Sequence, residues 1–113
     1  MITLYGIKNC DTVKKARTWL EQRGIDYQFH DFRTDGLTEQ QVKLWIDELG
    51  LELLVNKRST TWKELDEATK NQLDANAVQI ITANPTLIKR PLLDTSKQKQ
   101  VGFKDTEYSK IFN

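Results

Sequence analysis

The first third of the chain alternates between short apolar runs and a helical repeat. An apolar run at residues 2–5 predicts a strand, and residues 25–32 return to a strand-like alternation. Between them, apolar positions follow helical spacing from Val13 to Leu20, and Asp11 or Thr12 can cap that helix. We therefore expect a βαβ unit whose two strands are parallel, because a crossover helix joins them.

The middle of the chain predicts helices only. Residues 38–50 form an amphipathic pattern that begins with a capping box and ends at a glycine, and residues 62–73 and 74–83 predict two further helices. No repeat or low-complexity tract interrupts the sequence. We therefore expect a single domain, residues 1–113, with a helical insertion at about 37–84.

The last third returns to strands. Residues 92–95 and 98–101 predict a hairpin, and Asp105 can cap a final helix. The order βαβ, helical insertion, ββα is the thioredoxin arrangement, so we predict an α/β, thioredoxin-like fold with a mixed four-stranded sheet. Sites in α/β folds lie beyond the carboxyl ends of strands, where the junction between the first strand and the first helix holds Cys10.

Composition excludes several classes of protein. With 113 residues, of which 38% are hydrophobic and 29% charged, the chain can build a core without a disulfide or a structural metal. A net charge of +1 argues against nucleic-acid binding, and no apolar run approaches the roughly 20 residues of a membrane helix. The single cysteine excludes an internal disulfide and a cysteine-based zinc site. We expect no metal, no bound cofactor and a cytoplasmic location.

Cys10 is the candidate nucleophile. A thiol reacts as its thiolate, and the positive end of a helix favours that anion. Its neighbours Lys8, Asn9 and Asp11 are polar, unlike those of a cysteine that only packs in a core. Because Val13 stands three residues later, the chain lacks the dithiol of a disulfide oxidoreductase. A redox cycle therefore needs a thiol from another molecule, such as glutathione or a small redox protein.

Three segments resemble the arsenate reductase (ArsC)/Spx family, and most closely its YffB branch. Their sequences are LYGIKNCDT, NKRSTTW and LIKRPLL, at residues 4–12, 56–62 and 87–93. The resemblance covers essentially the whole chain and implies a thioredoxin-like fold with a helical insertion. It also implies arsenate-reductase-type chemistry, in which Cys10 attacks the substrate and glutathione and glutaredoxin complete the cycle.

The resemblance assigns roles to four further residues. It implies that Asn9, Arg58 and Arg90 bind an anionic substrate or glutathione, and that Pro91 has a cis peptide bond beside Cys10. A guanidinium suits such a role because its planar fork places two donors on two oxygens of an anion.

Two positions depart from arsenate reductases. The third arginine of their site is replaced by Phe103 or Lys104, and a serine three residues after the cysteine is replaced by Val13. We therefore expect a glutathione-dependent monothiol reductase acting on a small oxyanion or a disulfide, rather than on arsenate specifically.

The alternative is a regulator without enzymatic activity. Spx-type members of the family bind RNA polymerase, and they typically carry a Cys-x-x-Cys switch. Val13 removes that switch here, and the segment at residues 56–62 is the one found in the reductases. Both features favour the enzyme.

Overall fold

A mixed sheet forms from four short strands. The strand β1 (Thr3–Gly6) pairs in parallel with β2 (Gln28–Asp31) and antiparallel with β3 (Leu92–Asp94). In turn, β3 pairs antiparallel with β4 (Lys99–Val101), which gives the sheet order β2-β1-β3-β4. This arrangement confirms the predicted α/β, thioredoxin-like class with a four-stranded mixed sheet.

Seven helices accompany the sheet in residues 1–112, which are the residues that the computed structural model describes. They are α1 (Asp11–Gln22), α2 (Glu39–Leu49), α3 (Leu51–Leu54), α4 (Thr60–Glu64), α5 (Glu67–Asn71), α6 (Leu73–Ala83) and α7 (Asp105–Ile111), with a 3₁₀ turn at Pro85–Leu87. None of these helices is long and apolar enough to cross a membrane.

The chain divides into two units. The first comprises residues 1–36 and the chain from residue 90 onward, so it holds the whole sheet with α1 and α7; the second is Leu37–Lys89. The second unit begins where the sequence predicts the insertion but extends past residue 84. The reason is local pairing, since Val55 and Ile88 form an antiparallel bridge within this unit.

The core of the first unit lies on one face of its sheet. Its buried members come from two strands and two helices: Leu4, Ala16, Trp19, Leu20, Leu93 and Tyr108. The ring centroids of Trp19 and Tyr108 lie 5.5 Å apart in an edge-to-face arrangement. The packing of α1 and α7 against β1 and β3 fixes the position of the first turn of α1.

Two helix starts differ from prediction. The N-cap residue of α1 is Cys10, so Asp11 and Thr12 lie inside the helix, and the N-cap residue of α7 is Lys104 instead of Asp105. Neither cap makes a side-chain hydrogen bond. At α1 the chain turns before Cys10, whose N–H donates to the Ile7 carbonyl at 3.4 Å, and the helix starts directly after that turn.

The prediction of one helix over residues 62–73 is wrong. The backbone becomes extended at Leu65 and Asp66, which separates α4 from α5. The Asp66 carboxylate accepts a hydrogen bond from the Thr69 N–H at 2.7 Å and so begins a new helix. Helix α6 is itself interrupted at Asn76, whose φ of −125° and ψ of 33° are not helical.

Candidate functional site

Cys10 lies at the junction between β1 and α1. Its backbone is extended, with φ −101° and ψ 123°, and its carbonyl accepts the first bond of the helix from the Lys14 N–H at 3.0 Å. The thiol is free and half-buried. The first N–H groups of a helix have no acceptor within it and carry a partial positive charge. The free thiol is therefore carried at the start of α1, next to backbone N–H groups that can donate to an anion.

Gly6 allows α1 to start close to the end of β1. A Cβ at this glycine would lie 2.7 Å from Cγ2 of Val13, a distance that real Cβ atoms essentially never show. Val13 is fully buried in the first turn of α1. The missing side chain thus lets strand and helix meet closely and fixes the short turn that carries Cys10.

Asp31 anchors the same turn from the neighbouring strand. Its side chain is buried, and its register partner on β1 is Gly6. One carboxylate oxygen accepts from the Lys8 N–H at 3.3 Å and the other from the Arg33 N–H at 2.8 Å. Sequence reasoning missed this residue, because the residues around it do not show which strand its side chain would face.

Arg90 and Pro91 lie at the same end of the sheet as Cys10. Tyr5 pairs with Leu92, so the residue before β3 lies beside the end of β1. The Arg90–Pro91 peptide bond is cis, the geometry implied by the resemblance, and the Pro91 carbonyl accepts from the Gly102 N–H at 2.9 Å. The first unit therefore gathers four of the expected site residues at this end: Asn9, Cys10, Arg90 and Pro91.

Arg58 belongs to the second unit. Its N–H donates to the side-chain oxygen of Asn56 at 3.0 Å, which folds residues 56–59 into a turn with Arg58 exposed at its tip. With Glu52, Lys57 and Lys89, it lines a pocket of about 760 Å³.

Phe103 is one of the two residues that the resemblance puts at the position of a third arginine, and its side chain is uncharged. The Phe103 ring is half-buried and its centroid lies 4.7 Å from that of Tyr108, edge to face. Phe103 also lines a groove of about 340 Å³ along α1, with Lys14 and Trp19 among its other walls. Within residues 1–112, no cluster of three or more His, Cys, Asp or Glu side chains is placed to hold a metal ion.

The sequence profile of the ArsC family matches residues 5–111. The chain belongs to the ArsC family. Among its relatives, an uncharacterized protein of Haemophilus influenzae is 49% identical over an alignment of 113 positions that covers 99% of each chain. The global transcriptional regulator Spx of Lactiplantibacillus plantarum is 33% identical over 110 residues, covering 95% of this chain and 83% of Spx.

Solved structures of ArsC-like proteins share the fold along almost the full length. The YffB protein superposes with a TM-score of 0.92 at 41% identity and covers 97% of both chains. An arsenate reductase (ArsC) related protein from Brucella melitensis gives a TM-score of 0.78 at 42% identity, covering 99% of this ArsC-family chain and 94% of its own.

Proposed function

We propose that this ArsC-family protein is a cytoplasmic thiol reductase that uses Cys10 as its nucleophile and glutathione as its reductant. The observation that carries the proposal is the placement of the single thiol at the N-cap of α1, at the end of the sheet where Arg90 and cis-Pro91 also lie. The likeness to an arsenate reductase-related structure supports the same chemistry.

The reaction can be written for a mixed disulfide between a substrate thiol and glutathione. The Cys10 thiolate attacks the glutathione sulfur, the substrate leaves as its thiolate and takes up a proton, and Cys10 becomes glutathionylated. A second glutathione thiolate then attacks that mixed disulfide, which releases oxidised glutathione and restores the Cys10 thiolate. Because the chain has no second cysteine, the resolving thiol has to come from glutathione or from a glutaredoxin.

The other site residues bind the charged and polar groups of the substrate and of glutathione. Arg90 supplies a guanidinium at the Cys10 end of the first unit, and Arg58 supplies one from the turn at residues 56–59. Both bind carboxylate or oxyanion groups of the substrate or of glutathione, and Asn9 adds a polar contact beside the thiol. For a small oxyanion substrate, the Arg90 guanidinium holds the anion while the Cys10 thiolate bonds to its central atom, and the displaced oxygen takes up two protons and leaves as water.

A regulatory role is the second candidate. It is favoured by one observation, the 33% identity to the transcriptional regulator Spx over 95% of this chain. Val13 stands where a second cysteine would complete a Cys-x-x-Cys pair, so this chain cannot form such a switch by itself.

The test is the mass of the intact protein after exposure to oxidised glutathione. We expect one added glutathionyl group on the wild type, none on Cys10→Ser, and its complete removal by reduced glutathione. Arg90→Ala should slow the modification more than Arg90→Lys, because lysine keeps the charge and loses only the planar fork. A wild-type protein that stays unmodified would contradict the proposed function.

A further inference from the structure

A strongly charged pocket opens on the second unit. It has a volume of about 760 Å³ and is lined by Glu52, Val55, Asn56, Lys57, Arg58 and Lys89. This volume lies within the range of small-molecule sites, roughly 300–1,000 Å³, but such sites are mostly apolar. Here three of the six lining residues are cations and one is an anion, so the lining favours a charged ligand.

Backbone hydrogen bonds hold the walls of this pocket in place. The Lys89 N–H donates to the Leu54 carbonyl at 2.8 Å, and the Asn56 N–H donates to the Leu87 carbonyl, also at 2.8 Å. These bonds flank the Val55–Ile88 bridge and join residues 54–56 to residues 87–89 as a short antiparallel ladder. Lys57 and Arg58 follow directly in the turn closed by Asn56. The cationic residues are therefore carried by a fixed backbone, which lowers the cost of ordering them around a ligand.

The three cations of the pocket outnumber its single carboxylate. Within residues 1–112, none of the Lys57, Arg58 and Lys89 head groups is in an ion pair. The Lys57 ammonium lies 5.3 Å from the centroid of the Trp62 ring, a cation–π contact that orients the ammonium and leaves its charge in place. Like charges around one pocket repel each other, and a bound anion relieves that repulsion.

We propose that this pocket binds a small ligand with two carboxylates and one ammonium group. Lys57, Arg58 and Lys89 hold the carboxylates, and Glu52 pairs with the ammonium. The inference rests on the proposed function in one respect, because the reductant which that function requires, glutathione, has this set of charges. Lys57 and Lys89 are then specificity residues for the reductant. Together with Arg58 they give the pocket three cations for the two carboxylates.

The experiment separates binding from chemistry. S-methylglutathione has the charges of glutathione but no free thiol, and Cys10→Ser removes the nucleophile, so no disulfide can form between them. Calorimetric titration of this ligand into Cys10→Ser should show binding. Adding Lys57→Gln or Lys89→Gln should weaken it about tenfold each, equal to about 1.4 kcal/mol. The matched control is Lys63→Gln, which removes an exposed lysine of the same unit that does not line the pocket.

Glu52→Gln gives a second test whose sign depends on the ligand. It should weaken the binding of S-methylglutathione, because the ammonium of that ligand loses its partner. It should strengthen the binding of inorganic phosphate, which has no ammonium and is repelled by the Glu52 carboxylate. A change in the same direction for both ligands would contradict the assigned roles.

The inference is overturned if S-methylglutathione at millimolar concentration does not bind Cys10→Ser. It is also overturned if the Lys57, Lys89 and Lys63 variants all bind equally. Either result is distinct from failure of the proposed function, in which S-methylglutathione still binds while wild-type Cys10 forms no mixed disulfide with oxidised glutathione.

Discussion

The close approach of β1 and α1 at Gly6 can be tested by adding one methyl group. In Gly6→Ala, the new Cβ would lie 2.7 Å from Cγ2 and 3.5 Å from Cγ1 of Val13. Optimal contacts between carbon atoms are about 3.5–4.0 Å, so the first distance is about 1 Å too short. Val13 is fully buried, and the side chain of a helical valine is largely restricted to one rotamer. The strand and the first turn of α1 must therefore move apart.

The expected cost follows from this overlap. Overpacking a buried site destabilises a protein by about 1–3 kcal/mol, and we expect Gly6→Ala to fall in that range. Val13→Ala alone removes two buried methyl groups, worth about 0.8 kcal/mol each, and adds a cavity term. In the double variant, the alanine at position 6 occupies the space that the valine vacates. Its destabilisation should be smaller than the sum of the two single values by at least about 1 kcal/mol.

The assay is urea unfolding of the wild type, both single variants and the double variant. Because α1 begins with Cys10, the rate of alkylation by iodoacetamide at pH 7 should change in Gly6→Ala and return toward the wild-type rate in the double variant. Gly24→Ala is the control, since it also adds a methyl group at a glycine but meets nothing within 4 Å. It is strained by its φ of +65° and should show no coupling with Val13→Ala. If the destabilisations of Gly6→Ala and Val13→Ala add up to that of the double variant within about 0.5 kcal/mol, the reasoning is refuted.

Three further predictions concern carboxylates and a buried phenol. Asp31→Ala leaves two backbone N–H groups without their acceptor and should lower the free energy of unfolding by about 1–3 kcal/mol, measured in urea. Hydrogen bonds from Thr69 hold the pKa of Asp66 below its ordinary value, so its stabilisation is present near neutral pH and is lost in acid. Asp66→Ala should thus destabilise at pH 7 and converge with the wild type as the pH falls through the range where aspartate protonates, whereas Asp26→Ala should do neither. Burial, with a smaller effect of a neighbouring carboxylate, raises the pKa of Tyr108, so wild-type stability should fall above about pH 10. Tyr108→Phe should reduce that alkaline loss in thermal unfolding, and the part that remains is expected from Tyr5 and Tyr27, whose pKa values burial also raises.

The strands β1, β3 and β4 were predictable from signals that are local in the sequence. Alternation at residues 2–5 and the turn signals around residues 96–97 locate β1 and the hairpin of β3 and β4. The extent of β2 was not predictable in the same way. The sequence alternates over residues 25–32, but only Gln28–Asp31 pair, because the neighbouring strand offers four partners. Strand length thus depends on a partner that is distant in sequence.

In the second unit, a helix-capping residue divides a segment whose apolar spacing predicts a single helix. Apolar spacing across residues 62–73 predicts one helix, yet Asp66 caps a new helix within it. Asp66 was visible in the sequence as a possible N-cap residue, and in the structure its carboxylate accepts a hydrogen bond from the Thr69 N–H.

The candidate site was predictable where its signals are local. Cys10 stands out because its neighbours are polar and a helix follows it. Asp31 was missed because its role depends on the register that pairs it with Gly6. Lys89 was missed for a similar reason, since it reaches the pocket of Arg58 only through the ladder that joins residues 54–56 to residues 87–89.

The central claim is that Cys10 turns over with glutathione. It is tested most directly by the steady-state reduction of a glutathione mixed disulfide of a small thiol, followed as NADPH oxidation in the presence of excess glutathione reductase. We predict a rate proportional to wild-type protein concentration, saturable in substrate, and reduced by Cys10→Ser to the rate of glutathione alone. A wild-type rate no greater than that of glutathione alone, or an equal rate with Cys10→Ser, would contradict the account.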